Sequence, residues 1–184
     1  MFIDILIYTL FSTCLAAILY SFHVFIQLIR LKKNIKKNWS YLDIQFHHRH
    51  VLCDKLIKET FSIPDTQNSI APIEALKKQA AALNKKVEIT GGANSPFLQS
   101  LTYKEKRLKE ELESFIFLFN KAPESQVKKD LSFLIQQICS TFDKEEVFKN
   151  RYNHSTKKFL KYQSYFPARN ISKKIKLPGF IEIP

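Results

Sequence analysis

Residues 2–29 read FIDILIYTLFSTCLAAILYSFHVFIQLI, and this stretch decides the fold. After Asp4 it holds 25 residues without Lys, Arg, Asp or Glu. A bilayer core of about 30 Å requires about 20 helical residues, so the stretch is long enough to span a membrane. Its acidic start, its length and the absence of an A-x-A site disfavour a cleaved signal peptide, and its apolar character on all faces disfavours a soluble core helix. We therefore predict a transmembrane helix within residues 1–29.

A cluster of basic residues follows this apolar stretch directly. The cluster comprises Arg30, Lys32, Lys33, Lys36 and Lys37, and no basic residue precedes the stretch. Because cytoplasmic loops are enriched in Lys and Arg, we predict a short outward-facing N-terminus and a body in the cytoplasm. The cluster also lies where it can contact anionic lipid headgroups, each Lys or Arg contributing about 1 kcal/mol near the surface. All 29 basic residues lie after the stretch, and the whole chain has a formal net charge of +12.

The remaining sequence has the apolar periodicity of α-helices. With three Gly, it lacks the tight turns that β-sandwiches, barrels and Gly-rich phosphate loops require. A 3–4 apolar spacing without Pro or Gly predicts that the membrane helix continues as one rod to about Thr60, with Asn38 and Arg49 in polar positions of its seam. Residues 62–72 are predicted to form a loop, after which Pro72 suits the first turn of the second helix.

Three further amphipathic helices are predicted. Their apolar faces run from Ile73 to Val87, from Leu101 to Phe119 and, in the longest helix, between Glu124 and Ala168. Gly91 is expected to cap the second helix, Pro123 and Pro167 to break the chain, and residues 104–113 to supply the solvated face of the third. We therefore predict an all-α fold, in which the transmembrane helix continues into an antiparallel, coiled-coil-like four-helix bundle of residues 30–168, followed by a basic and apolar tail of residues 169–184.

Two motifs in this sequence resemble the LemA family of bacterial membrane proteins. The first is residues 38–46, NWSYLDIQF, which includes Trp39 and Asp43 and is followed by Arg49. The second comprises Arg151, Tyr152 and Asn153, then Tyr162, Phe166 and Pro167, with a terminal Gly179-Phe180. The resemblance covers about residues 1–180. It implies an antiparallel bundle of long helices on a single anchor in the inner membrane, with structural roles for these motif residues and no defined biochemical activity.

Arg49 is the main candidate for a buried polar site. It falls on the apolar seam of the first helix, where a guanidinium must be paired or must reach solvent. Glu145 and Glu146 interrupt the seam of the last helix and could supply the partner. An ion pair that fixes helix register is the favoured interpretation. The alternative is an enzyme or ligand-binding protein with a polar site around Arg49 and Glu145/Glu146 inside the bundle.

No catalytic, metal or cofactor site is predicted. Residues 47–50 hold three His, but one helix cannot supply the convergent ligands of a zinc site, and a solvated face is expected. Residues 149–176 carry nine Lys or Arg and no acid, but their aromatic residues are needed in the core, which disfavours nucleic acid as a partner. The predicted function is non-enzymatic: a scaffolding or protein-interaction module that contacts the lipid bilayer and an unidentified protein partner. A homo-oligomer stays open.

Overall fold

The structure, a computed structural model, describes residues 2–60, 67–121, 126–165, 167–174 and 183. These residues form five α-helices and a short 3-10 helix, and no β-strand occurs among them. The helices are α1 (Phe2–Thr60), α2 (Gln67–Ile89), α3 (Leu98–Lys121), α4 (Gln126–Ser164) and α5 (Ala168–Lys174), with the 3-10 helix at Gly92–Asn94. The predicted all-α class is confirmed, and the helices pack on one another.

Helix α1 is a single unbroken helix of 59 residues, and it ends at Thr60 as predicted. None of residues 2–23 is buried, whereas from Val24 onward one face of the helix packs against the rest of the protein. An 18-residue window of α1 has a mean hydropathy of 2.1, and none of it is buried within the protein. The helix is therefore long and apolar enough to cross a membrane.

Helix α1 packs most extensively against α4. Asn38 of α1 contacts Ser155 of α4, while Arg49 further along α1 contacts Glu145, which precedes Ser155 in α4. The two helices therefore run antiparallel. This arrangement places the C-terminal end of α4, and then α5, beside the part of α1 where its burial begins.

Helices α2 and α3 form a helical hairpin alongside α1. Asp54 of α1 pairs with Lys77 in α2, whereas Trp39 lies beside Gly92 just after α2, so α2 runs antiparallel to α1. The chain leaves α2 through Gly91, whose φ of 114° lies in the left-handed region that glycine adopts without strain. The predicted glycine cap at Gly91 is confirmed.

The buried apolar residues form two clusters along the helices. The near cluster, beside the point where the burial of α1 begins, includes Leu28, Ile35, Trp39, Phe46, Leu101, Tyr152 and Phe159. The far cluster includes Leu52, Leu56, Ile73, Leu108, Phe115, Leu131 and Ile138. On α1, α3 and α4 the boundary between the clusters falls at Arg49, Glu105 and Glu145, and this boundary is the candidate functional site.

The start of α2 differs from the sequence prediction. The predicted loop extended to Pro72, but α2 begins at Gln67 and contains Pro72; residues 61–66 of the predicted loop lie outside the described residues. Ile70 and Ile73 are both buried in the far cluster. Their burial stabilises the helix. The cost of Pro72 is small by comparison, since a proline so near the helix start removes only one backbone hydrogen bond.

The end of α4 also differs from the prediction. The helix was expected to reach Ala168, but it ends at Ser164, and α5 begins at Ala168. Pro167 lacks the N–H needed to continue the ladder, and its ring excludes the carbonyl of the preceding turn. The chain restarts as α5, where Arg169 N–H donates to the carbonyl of Tyr165 at 2.9 Å. The predicted break at residues 122–125 lies outside the described residues.

Candidate functional site: a buried polar layer

Four ionisable side chains meet at the boundary between the two apolar clusters. They are Arg49 and His50 from α1, Glu105 from α3 and Glu145 from α4, and together they are called the polar layer below. Arg49 is 0% exposed and Glu105 is 1% exposed, so both are cut off from water. Charged groups are almost never so buried unless they are paired.

Arg49 bridges the two carboxylates of the polar layer. Its Nη2 lies 2.5 Å from Glu105 Oε2, and its Nη1 donates to Glu145 Oε2. His50 Nε2 lies 2.8 Å from the other carboxylate oxygen of Glu105. The guanidinium carbon of Arg49 also lies 5.4 Å from the centroid of the Phe46 ring. One guanidinium thus joins α1 to both α3 and α4.

The surroundings shift the pKa values of Glu105, Glu145 and Arg49. Burial alone would raise the pKa of Glu105, but His50 and Arg49 together outweigh burial and lower it. Burial raises the pKa of Glu145, because the charge of Arg49 does not fully offset burial and the nearby negative charge of Glu105. Burial would lower the pKa of Arg49, but the two carboxylates raise it. Glu105 and Arg49 are therefore held charged, whereas Glu145 holds its charge less firmly.

The polar layer contains one expected contact and two residues that the sequence prediction misplaced. The contact between Arg49 and Glu145 was expected from their seam positions, while Glu146 points outward and lies 3.5 Å from Lys149. Glu105 was expected on the solvated face of α3, and this expectation is wrong. Its position between Leu101 and Leu108 continues the 4–3 apolar spacing of α3, which is the signal that could have identified it.

The histidine segment divides between inside and outside. His47 and His48 are exposed as expected, but His50 is only 7% exposed and reaches Glu105. The expectation of a solvated face is therefore wrong for His50. Its ring lies against the carboxylate of Glu105, which also pairs with the neighbouring Arg49. Among the residues that the structure describes, no group of three His, Cys, Asp or Glu side chains could hold a metal ion.

A cleft of about 280 Å³ lies beside the polar layer, between α1, α3 and α4. Charged residues of both signs line it: Lys106, Lys109 and Lys149 with Glu110, Glu113, Glu145 and Glu146. Leu42, Phe46 and Ile183 add apolar surface, whereas Arg49 does not line the cleft. The cleft offers paired positive and negative groups to a small molecule, but the buried guanidinium is not accessible from it.

Several residues of the two family-like motifs pack together. Trp39 is buried and meets Tyr152 edge to face, with ring centroids 5.9 Å apart. Burial raises the pKa of Tyr152 to about 12, and its hydrogen bond with Thr156 offsets part of this effect. Tyr162 is half-buried against the near cluster. These contacts join α1 to α4 near the point where the burial of α1 begins.

The other motif residues take different positions. Asn153 Nδ2 donates to the carbonyl of Ile183 at 2.7 Å, and its Oδ1 accepts from the Ile183 N–H at 2.8 Å. Asp43 is half-buried and is not a partner of Arg49, which binds Glu105 and Glu145 instead. Arg151 is exposed, Pro167 is buried, and Phe166 lies outside the described residues.

The basic cluster after the apolar stretch lies on the surface of α1. Arg30, Lys33, Lys36 and Lys37 are exposed, and Lys32 is half-buried. Because α1 is continuous, the cluster lies at a fixed distance beyond the unburied apolar residues.

Comparison of the chain with protein-family models, with curated proteins and with solved structures found no match. The resemblance to the LemA family therefore stays a prediction from the two motifs.

Proposed function

We propose that this protein is a single-pass protein of the bacterial inner membrane, whose cytoplasmic four-helix bundle acts as a LemA-like scaffolding or protein-interaction module. One observation carries the proposal: the apolar residues 2–23 bury nothing within the protein, yet they belong to the same helix that forms the core of the body. More than a dozen large apolar side chains of this stretch are exposed. Their transfer from water into lipid would be favourable by on the order of 20 kcal/mol or more.

The dimensions of α1 support a membrane anchor. At 1.5 Å per residue, residues 2–23 cover roughly 33 Å, close to the hydrocarbon thickness of a bilayer. The body begins to cover α1 at Val24, and the basic cluster starts six residues later at Arg30. A cytoplasmic body follows from the preference of Lys and Arg for the inner side of the membrane.

The contacts of the polar layer favour a structural over a catalytic role. The guanidinium of Arg49 forms salt bridges with Glu105 and Glu145, and Arg49 does not line the cleft. A buried pair of this kind specifies helix register more than it adds stability. The proposed module would thus hold a rigid body at a fixed orientation and present its outer surface to a protein partner.

The anchor is tested by fractionation with a matched pair of variants. We expect the wild-type protein to stay in the membrane pellet after an alkaline carbonate wash. Ile18→Arg places a charge in the apolar stretch, at 65% exposure, and should release a large fraction of the protein. Ile44→Arg makes the same change on the body, at 55% exposure, and should leave the protein in the membrane. Recovery of wild-type protein in the soluble fraction would reject the anchor.

Orientation and partner require separate measurements. Protease added to spheroplasts should spare the C-terminal body, and its digestion there would reverse the proposed orientation. Crosslinking in native membranes, followed by mass spectrometry, should capture a specific protein neighbour. Capture of lipid alone, with no enriched protein, would contradict the interaction module.

The cleft favours a second candidate, a ligand-binding protein. It is lined by Glu145 and Glu146, and its mixed charges suit small molecules that carry both an amino and a carboxylate group. Saturating free amino acids would then raise the melting temperature of the wild-type protein but not that of the Glu146→Gln, Lys149→Gln double variant. No shift across the amino acids would remove this candidate.

A further inference from the structure

A second groove lies on the outer surface between α1 and α4, apart from the polar layer. It has a volume of about 510 Å³ and is called the cationic groove below. Its lining includes Lys37, Asn38 and Tyr41 from α1 and Phe148, Arg151 and Ser155 from α4. The volume falls within the range of small-molecule sites.

The cationic groove carries positive charge that nothing in its lining neutralises. Neither Lys37 nor Arg151 forms a salt bridge with any residue that the structure describes, and no carboxylate lines the groove. The acidic residues of α4 nearest in sequence, Glu145 and Glu146, face the polar layer and Lys149 instead. Two cations therefore share one concave surface without an internal counter-charge.

Aromatic rings hold these two cations in place. Tyr41 and Phe148 are stacked with centroids 5.5 Å apart. Lys37 Nζ lies 5.8 Å from the Tyr41 centroid, and Arg151 Cζ lies 5.6 Å from the Phe148 centroid. Cation–π contacts of this kind restrict long side chains without consuming their hydrogen-bond donors.

The cationic groove also contains an uncharged hydrogen-bond donor, the hydroxyl of Ser155. Asn38 Nδ2 donates to Ser155 Oγ at 2.7 Å and to the carbonyl of Arg151 at 3.3 Å. Since Ser155 Oγ accepts in this bond, its own hydroxyl proton remains available to a ligand. The groove thus combines a guanidinium, an ammonium and a hydroxyl, which are the donors that recognise phosphoryl oxygens.

We propose that the cationic groove binds a phosphoryl group. Lys37 lies eight residues beyond Ile29, or roughly 12 Å along α1, so the groove lies on the same side of the apolar stretch as the basic cluster. The phosphoryl group is supplied either by an anionic phospholipid or by a soluble phosphorylated molecule. This inference goes beyond the proposed scaffolding function, because binding of free phosphate requires neither the anchor nor a protein partner.

The test uses the full chain purified in a neutral detergent and titrated calorimetrically with inorganic phosphate at about 0.1 M salt, which screens diffuse attraction. Lys37→Gln and Arg151→Gln should each weaken phosphate binding by about tenfold or more. Lys36→Gln and Arg169→Gln are the matched controls, since both side chains are exposed and neither lines the groove. The controls should change binding by less than about twofold.

The source of the phosphoryl group is identified by repeating the titration in lipid nanodiscs. If phosphatidylglycerol discs suppress phosphate binding relative to phosphatidylcholine discs, the groove takes a lipid headgroup; equal binding in both identifies a soluble ligand. The proposal is overturned if phosphate does not bind the wild-type chain, or if the control variants lose as much affinity as the groove variants. Intact phosphate binding by a protein that fails the carbonate wash would reject the proposed anchor alone.

Discussion

Replacing Arg49 with Met tests whether the polar layer holds the helices in register. The change keeps most of the side-chain volume but leaves two carboxylates facing each other without a cation. Two unit charges about 4 Å apart attract by about 4 kcal/mol at an effective dielectric constant of 20. Removal of one partner from a buried pair costs about 3–5 kcal/mol. Because Glu145 is 13% exposed and can turn toward the cleft, most of this cost falls on Glu105.

The penalty should depend on pH in a defined direction. In the wild-type protein the pKa of Glu105 is lowered, so its contribution to stability is present above the unfolded pKa and is lost as pH falls through the folded pKa. In Arg49→Met the part of that contribution that Arg49 supplies disappears, and only His50 still opposes the effect of burial on the pKa of Glu105. The destabilisation should therefore be fully present at pH 8 and should shrink as pH falls toward the unfolded glutamate pKa of about 4.3.

The measurement is thermal unfolding in neutral detergent, followed by circular dichroism at pH 8 and at pH 5. At pH 8 we expect Arg49→Met to melt roughly 6–20 °C below the wild-type protein. A triple variant that also replaces Glu105 with Leu and Glu145 with Met should regain most of this loss, because no buried charge remains. Arg107→Met removes an exposed arginine with surface pairs only and should shift melting little. An unchanged melting temperature for Arg49→Met, or a loss equal at both pH values, would refute the reasoning.

Three further predictions concern the thiols, the C-terminal contact and the interhelical turn. Burial raises the pKa of Cys53 to about 12, so maleimide at pH 8 should label half-buried Cys139 well before Cys53; equal labelling rates by mass spectrometry would contradict this. Asn153→Ala removes both hydrogen bonds to Ile183, so the Ile183 amide should exchange with deuterium about tenfold faster; unchanged exchange would show that the contact is not retained in solution. Gly91→Ala forces a φ of 114° on a residue with a Cβ and should cost about 1–2 kcal/mol; an unchanged melting temperature would mean that the turn relaxes.

The helices themselves were predictable because their apolar spacing is regular over many turns. The seam of α1 from Ile35 to Leu56 and that of α4 from Leu131 to Phe142 are buried as their 3–4 spacing predicts. Where the prediction failed, tertiary packing overrode a local signal, as at Pro72. The seams therefore predict which face of each of these two helices is buried.

The composition of the polar layer was only partly predictable. Arg49 drew attention because a cation on an apolar seam is an anomaly, and Glu145 because it interrupts another seam. Glu105 sits in a run of charged residues, 104–113, where one seam position is hidden among seven other charged side chains. The contact between Asn153 and Ile183 joins residues 30 positions apart, and no local pattern specifies it.

The polar layer and the continuity of α1 together determine how the body is placed relative to the unburied apolar residues of α1. A guanidinium bonded to α3 and α4 at once tolerates little sliding, since a shift of one helical turn, about 5.4 Å, would bury a charge without its partner. Helix α1 carries that guanidinium and also the unburied apolar residues 2–23, with no Pro or Gly between them. The heights of the cleft and the cationic groove above the apolar stretch are therefore set by residue count along one rod. An unpaired position in the polar layer would instead let α3 and α4 shift along α1, which would change the shapes of the cleft and the cationic groove together.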